Sequence, residues 1–332
     1  MASEIDPPDE TTAREISLER IGPMIAGFEA DRVRSARTAR LRLILGTAVG
    51  AAMSLVFALR LPAVMDGSNL AILVLLPVGI GFYIGQIARR SVLNSWKHSV
   101  TDKVTAPLLD VLGDHSFSAT ASGGFPVSRL RHFGLVPNSS QAVLSNRLSG
   151  SWHGTNFVMV QARLTESEIE WPSRLLFEGL LFEIEVPEPA PTRIVVGKRQ
   201  GSPGNGLAGI FGPRVPRAMG RVEVDHAAFR HFFDVRADDP EAAREYLPPA
   251  FLDTLIAIGK EEGGADDART LTAAFDGDRF YMALASGPGF LDLGDASKGP
   301  LDYEAAVDTV IADLRIIQRI IDRLHGVEPG AE

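Results

Sequence analysis

The alternation of apolar and polar positions divides the chain into three regimes. Leu43–Leu59 (LILGTAVGAAMSLVFAL) and Leu70–Ala88 (LAILVLLPVGIGFYIGQIA) carry no charge over 17 and 19 positions. At the helical rise these runs reach roughly 26–29 Å, close to the hydrocarbon thickness of a bilayer. Arg60 can snorkel to the interface and let the first helix extend. The pattern predicts membrane spans over about 43–60 and 70–88, with a buried soluble hairpin as the alternative. A polar tail, Met1–Thr12, precedes a predicted helix over Ala13–Arg42 that leads into the first span, with Pro23 as its candidate bend. After the second span, Trp96, Val100, Val104, Leu108 and Leu112 recur every fourth residue, which predicts an amphipathic helix leaving the membrane.

From about His115 the period shortens towards two. Asn156–Leu164 and Leu176–Val186 read as strands; in the second, Phe182, Ile184 and Val186 alternate with Glu183 and Glu185. Arg193–Gly197, Gly220–Val224 and Phe233–Arg236 are shorter candidates, and Pro248–Gly259 reads as a helix. Leu271–Phe275 and Arg279–Ala285 flank Asp276-Gly277-Asp278, a hairpin signal. The last helix has Asp302 as N-cap, Gly326 as its C-terminal stop, and a stripe of Val307, Val310, Leu314, Ile317, Ile321 and Leu324. The stripe is too short for a sustained coiled coil and is expected to pack on the sheet.

The expected fold is therefore α+β. A two-helix transmembrane hairpin precedes a cytoplasmic domain with a mainly antiparallel sheet and a packed C-terminal helix. Residues 1–42 form the tail and juxtamembrane helix, 43–88 the hairpin, 89–113 the exit helix, 114–326 the domain and 327–332 a tail.

Charge adds an orientation. Arg32, Arg34, Arg37, Arg40 and Arg42 precede the first span, and Arg89, Arg90, Lys97 and Lys103 follow the second, whereas Leu61–Asn69 carries no basic residue. The positive-inside rule puts both termini in the cytoplasm, in a multi-pass protein of the inner membrane. Residues 41–222 carry a net charge of +6 and residues 223–332 a net of −13, within an overall −9. That acidic balance argues against nucleic acid as a partner, and the lipid bilayer is the expected one. The absence of cysteine excludes disulfides, thiolate metal sites and a cysteine nucleophile.

Gly46 and Gly50 in the first span, and Gly81 and Gly85 in the second, form small-xxx-small pairs that let helices approach closely. Packing the two spans of one chain is the expected use; homo-oligomer formation is the alternative.

Two segments carry a family resemblance. LFEGLLFEIEVPEPAPTRIVV (Leu176–Val196) contains Gly179-Leu180-Leu181-Phe182, then Pro187, then the strand Arg193–Val196. FRHFFDVRADDPEAAREYLPPAFLDTL (Phe229–Leu255) has Ala243-Arg244 followed by Leu247-Pro248. With the charged helix and two spans before them, these resemble a bacterial family called domain of unknown function 3137, over about Arg20–Leu324. The resemblance implies a two-span bacterial membrane protein and carries across no catalytic residue; in the second segment the spacing departs slightly from the family's.

Candidate chemistry is sparse. Gly204, Gly206 and Gly209 spell GxGxxG, but seven residues, the turn at Gly197 and Lys198–Pro203, follow the strand before them, and Pro213 and Pro216 block a following helix, so nucleotide binding is not expected. Between Arg193 and Val222 there are six basic residues and no acid. Lys198, Arg199, Arg214 and Arg217, with the apolar tip Ile210-Phe211, could dip into anionic headgroups; a plain solvated loop is the alternative. His226 and His231 stand five apart, not at the four-residue spacing of helical metal pairs, and HExxH is absent. Glu183 and Glu185 read as a solvated strand face, and no serine elbow exists. The reading names no catalytic residue, metal ligand or cofactor. It leaves a membrane-anchored binding or scaffold module for a protein or anionic lipid, with a membrane-surface enzyme as the alternative.

Overall fold

The computed structural model of the chain describes residues 10–60, 68–112, 115–121, 124–166, 174–199, 219–261, 270–285, 290–291, 299 and 302–325. The helices are α1 (Glu10–Arg60), α2 (Ser68–Leu112), α3 (Val127–His132), α4 (Ala227–Phe232), α5 (Pro240–Tyr246), α6 (Pro249–Glu261) and α7 (Tyr303–Leu324). The strands are β1 (His115–Thr120), β2 (Gln141–Trp152), β3 (Thr155–Glu166), β4 (Arg174–Glu185), β5 (Ile194–Lys198), β6 (Gly220–Val222), β7 (Phe233–Ala237), β8 (Leu271–Asp276) and β9 (Arg279–Ala285). The described residues divide into two compact units, one within 10–107 and 299–309, the other within 108–291 and 310–325.

In the helical unit α1 is one helix from Glu10 to Arg60 with Pro23 inside it. Gly22–Leu59 is long and apolar enough to cross a membrane, the one such helix among the described residues. Its apolar side chains point outward: Leu45 is 65% and Leu59 75% exposed. On α2 the same holds for Leu75, Ile80, Phe82, Ile84 and Ile87. The interior of the pair is built from glycine. A Cβ on Gly46 would stand 2.7 Å from the Gly81 carbonyl oxygen and 2.8 Å from the Gly85 Cα; one on Gly81 would stand 2.8 Å from the Gly50 Cα and would run into the Gly46 carbonyl. Without side chains at these positions the backbones touch, the mode by which helices associate where lipid removes the hydrophobic drive.

Farther along, Trp96, Val100 and Val104 are buried, as the spacing of four predicts, and so is Phe28 on α1. Phe28 stacks on Tyr303 with ring centroids 6.2 Å apart. Arg14 Nε donates to Asp308 Oδ1 at 2.5 Å, and Lys103 pairs with Asp31 at 3.6 Å. The start of α7 thus belongs to the helical unit.

The second unit is a nine-stranded antiparallel sheet in the order β1-β2-β3-β4-β9-β8-β5-β7-β6. The β2–β3 turn places His153 (φ 46) and Gly154 (φ 73) in the left-handed region, the backbone that a two-residue type I′ turn requires. The β8–β9 turn has Gly277 at φ 61 in its first central position. Pleating splits the middle strands between two faces. Val160, Ala162, Leu181, Tyr281 and Ala283 join Leu130 and Phe133 in one core cluster. Phe182 and Phe280 alternate with these residues, and Phe280 meets Phe275 and, from α6, Phe251. Each fully buried Leu or Phe contributes about 1.5–3 kcal/mol. In α7, Val310, Leu314, Ile317 and Ile321 are buried. The helix is tied to the sheet by Trp152 Nε1 donating to Asp322 Oδ1 (2.6 Å) and by Thr155 Oγ1 to His325 Nε2 (3.0 Å). Asp302 caps its first turn by accepting from Ala305 N at 3.1 Å, as expected; Gly326 lies outside the described residues.

Candidate functional site

The sequence offered His226 and His231 as a pair, and the fold separates their roles. His226 precedes α4 with an extended backbone, and its Nδ1 accepts from Phe229 N at 3.0 Å. Its Nε2 is 2.9 Å from Asp253 Oδ1 on α6. The imidazole therefore serves as a helix cap held by a carboxylate. His231, one turn later, turns to a different set of neighbours.

That set lines an open depression of about 380 Å³ formed by Arg199, Arg221, Ala227, Arg230 and His231. Arg199 extends just beyond β5, where its backbone N donates to the Phe232 carbonyl (3.0 Å) and its Nη1 to the Arg230 carbonyl (2.6 Å). Arg221 lies on the edge strand β6, opposite Arg236 of β7, and its Nη2 reaches Asp234 Oδ1 at 3.2 Å. α4 is held down by Phe229, fully buried and 4.9 Å from the Phe233 ring. Lys260, at the end of α6, sits 5.4 Å over the Phe232 ring.

Lys198, adjacent to Arg199, goes elsewhere. It lines a shallow apolar dent with Leu135, Leu175, Phe177 and Thr272. Strand alternation thus splits the expected basic group at its first two members. Ile210, Phe211, Arg214, Arg217 and the GxGxxG glycines lie outside the described residues.

A second concavity of about 610 Å³ is walled by Ile184, Pro187, Pro248, Phe251, Phe275 and Ile321, with Thr155, Glu185, Tyr246 and His325 around it. These polar groups are already engaged. Thr155 holds His325, Tyr246 OH donates to the Glu188 carbonyl at 2.8 Å, and Glu185 accepts from Asn156 (2.6 Å) and pairs with Arg279 (2.9 Å). Burial, reinforced by Glu188, pushes the Tyr246 phenol above its ordinary value. Glu185 is thus a partly exposed member of the sheet that is also bonded across it. The cleft can take up apolar surface, and the Thr155–His325 contact places a hydroxyl beside an imidazole in its lining. Among the described residues no group of three or more His, Asp or Glu is arranged to hold a metal ion.

What sequence reasoning missed is the joining of Arg221, Arg230 and His231 with Arg199. The residues are separated by up to 32 positions, and only the pairing of β5 and β6 with β7 gathers them. The one legible signal was the acid-free stretch from Arg193 to Val222.

Residues 175–325 match the family described as "Protein of unknown function (DUF3137)". The match covers β4 to α7 and both resemblance-bearing segments; it does not extend to α1 and α2, so it is narrower than the resemblance read from Arg20 onward. No curated protein matches the chain. A likeness is found to the crystal structure of the mycobacterial trehalose monomycolate transport factor A, TtfA, at 8% identity, covering 72% of this chain and 98% of that one, with a TM-score of 0.30. At that score neither fold nor function is transferred.

Proposed function

We propose, for a chain with a DUF3137 domain over residues 175–325 and a membrane-capable helix before it, a two-pass anchor with both ends in the cytoplasm, carrying a binding module for anionic surfaces. The observation that carries this reading is the outward apolar belt on both long helices, Leu41–Leu59 on α1 and Leu75–Ile87 on α2, around a glycine-lined interior. A soluble hairpin gains its stability by burying such side chains, whereas a bilayer solvates them. The arginines flanking the two apolar runs support the cytoplasmic orientation. The open basic depression on the sheet unit supports a module that meets negative charge.

Because the chain has no cysteine, single cysteines report topology cleanly. In intact cells a membrane-impermeant maleimide labels Asp66→Cys, and labels Glu19→Cys and Ser128→Cys only after permeabilisation. Protection of all three sinks the hairpin, and labelling of Ser128→Cys without Glu19→Cys means a single span. The binding half is tested by floating the full chain, held in phosphatidylcholine nanodiscs, with vesicles containing phosphatidylglycerol. Co-flotation weakened by charge reversal at Arg214 and Arg217 is the expected result, and no flotation sinks it.

A further inference from the structure

Arg199, Arg221, Arg230 and His231 come from β5's end, β6 and the last turn of α4, and they share one open depression with Ala227. We propose that this depression is a binding site for a phosphate group. The inference rests on the reading of the domain as a module for anionic ligands, and it deepens that reading by naming the residues and the recognised group.

Three features of the geometry carry it. First, the Arg199 guanidinium is held in place: the backbone N on the Phe232 carbonyl and Nη1 on the Arg230 carbonyl stitch it over the end of α4. Those carbonyls would otherwise repel an anion, and the bonds that cover them consume one of the guanidinium's five N–H donors. Second, Arg221 is oriented by Asp234 through a single nitrogen, which leaves most of its fork open. Third, Asp234 pairs with one of the three arginines, so these four residues leave a surplus of two positive charges before His231 is counted. That surplus matches a phosphate, and planar guanidinium forks match its oxygens two at a time. The supporting backbone is strand: Arg221 pairs across to Arg236, and Lys198, next to Arg199, to Phe233. The donors are therefore placed before the ligand arrives, which lowers the ordering cost of binding. The depression, at about 380 Å³, is larger than a phosphate and open to solvent, so the group can be free or borne on a headgroup.

The experiment uses the full chain in phosphatidylcholine nanodiscs, in two arms. One titrates inorganic phosphate by calorimetry; the other measures co-flotation with vesicles containing phosphatidylglycerol. Arg230→Glu is compared with Arg244→Glu, an equally large charge change at an exposed position on α5. Saturable phosphate binding that Arg230→Glu weakens about tenfold or more, and Arg244→Glu leaves alone, supports the site with a soluble phosphate as its ligand. No phosphate binding, but flotation lost in Arg230→Glu and kept in Arg244→Glu, supports it with a lipid headgroup as its ligand. Phosphate binding unchanged in Arg230→Glu, or, with no phosphate binding, flotation unchanged in it or reduced equally by both changes, overturns the site and leaves the anionic-surface reading standing. Binding in neither arm overturns both. If Arg230→Glu alters the melting curve, Arg230→Gln and His231→Gln replace it with the same expectations.

Discussion

Tyr281 joins a buried ring and a bonded hydroxyl to one short helix, α3, and the residue that follows it. Its ring is fully buried between Phe133 (5.8 Å) and the Arg129 guanidinium (5.7 Å), while its hydroxyl accepts from Arg129 Nη1 at 2.7 Å. Burial pushes the phenol above its ordinary 10.0; Arg129 opposes that, and nearby Glu183 and Asp276 add to it. A raised folded-state pKa means that the neutral phenol's contribution is fully present below about 10 and is lost as pH rises through the folded value. Urea unfolding midpoints should hold steady up to about pH 10 and fall above it. Tyr281→Phe should lower the unfolding free energy at neutral pH by about 1–3 kcal/mol, and the urea midpoint with it, because Arg129 loses its acceptor, and should flatten the alkaline fall. An unchanged alkaline slope in the variant would assign that loss to Tyr246 or Tyr303, whose phenols burial also raises.

Among the elements, the α1–α2 pair depends most on a few atoms. Gly81 faces Gly46 and Gly50 so closely that any Cβ must displace backbone, whereas Gly79, two residues earlier on the same helix, has nothing within 4 Å. Gly81→Ala should therefore destabilise the pair by about 1–3 kcal/mol, as overpacking does, and Gly79→Ala should leave it unchanged. Titration of the micelle-held protein with dodecyl sulfate reads both midpoints; equal shifts would mean that helix propensity and not contact is being measured. The glycines were legible from their spacing alone. Packing the two spans of one chain was the expected use, with homo-oligomer formation as the alternative; the approach distances come only from the structure.

Across the whole molecule, stability should be graded by position in the sheet. β4 and β9 are interior, and their paired residues Leu180, Leu181, Phe182, Met282 and Ala283 are buried. β6 has three residues and forms one edge. Hydrogen exchange on the full chain should find the β4 and β9 amides opening last, at the global unfolding rate, and those of Gly220–Val222 opening early. Protection of β6 equal to that of β4 would mean that the edge is covered by residues outside those described. Early opening of β6 would also loosen Arg221, so ligand protection of that strand is a second readout of the basic depression.

What the sequence determined by itself is what short-range periodicity encodes. The uncharged runs, the spacing of Trp96, Val100 and Val104, the stripe from Val307 to Ile321 and the turn at Gly277 each follow from the helical or strand period over a few residues. β2 escaped that reading for a local reason: a register shift between Ser145 and Leu148, with Asn146 buried at φ 50, breaks the alternation. The α4 cap escaped because an imidazole is an uncommon N-cap. Only the tertiary structure decided which strands became neighbours, because hydrogen bonds between strands join residues with no local relation in sequence. Placing β5 between β8 and β7, and β6 outside β7, sent Lys198 and Arg199 to different surfaces and His226 and His231 to different tasks. The same placement gathered three arginines from across the chain around one depression, a juxtaposition made by long-range pairing that no window along the chain contains.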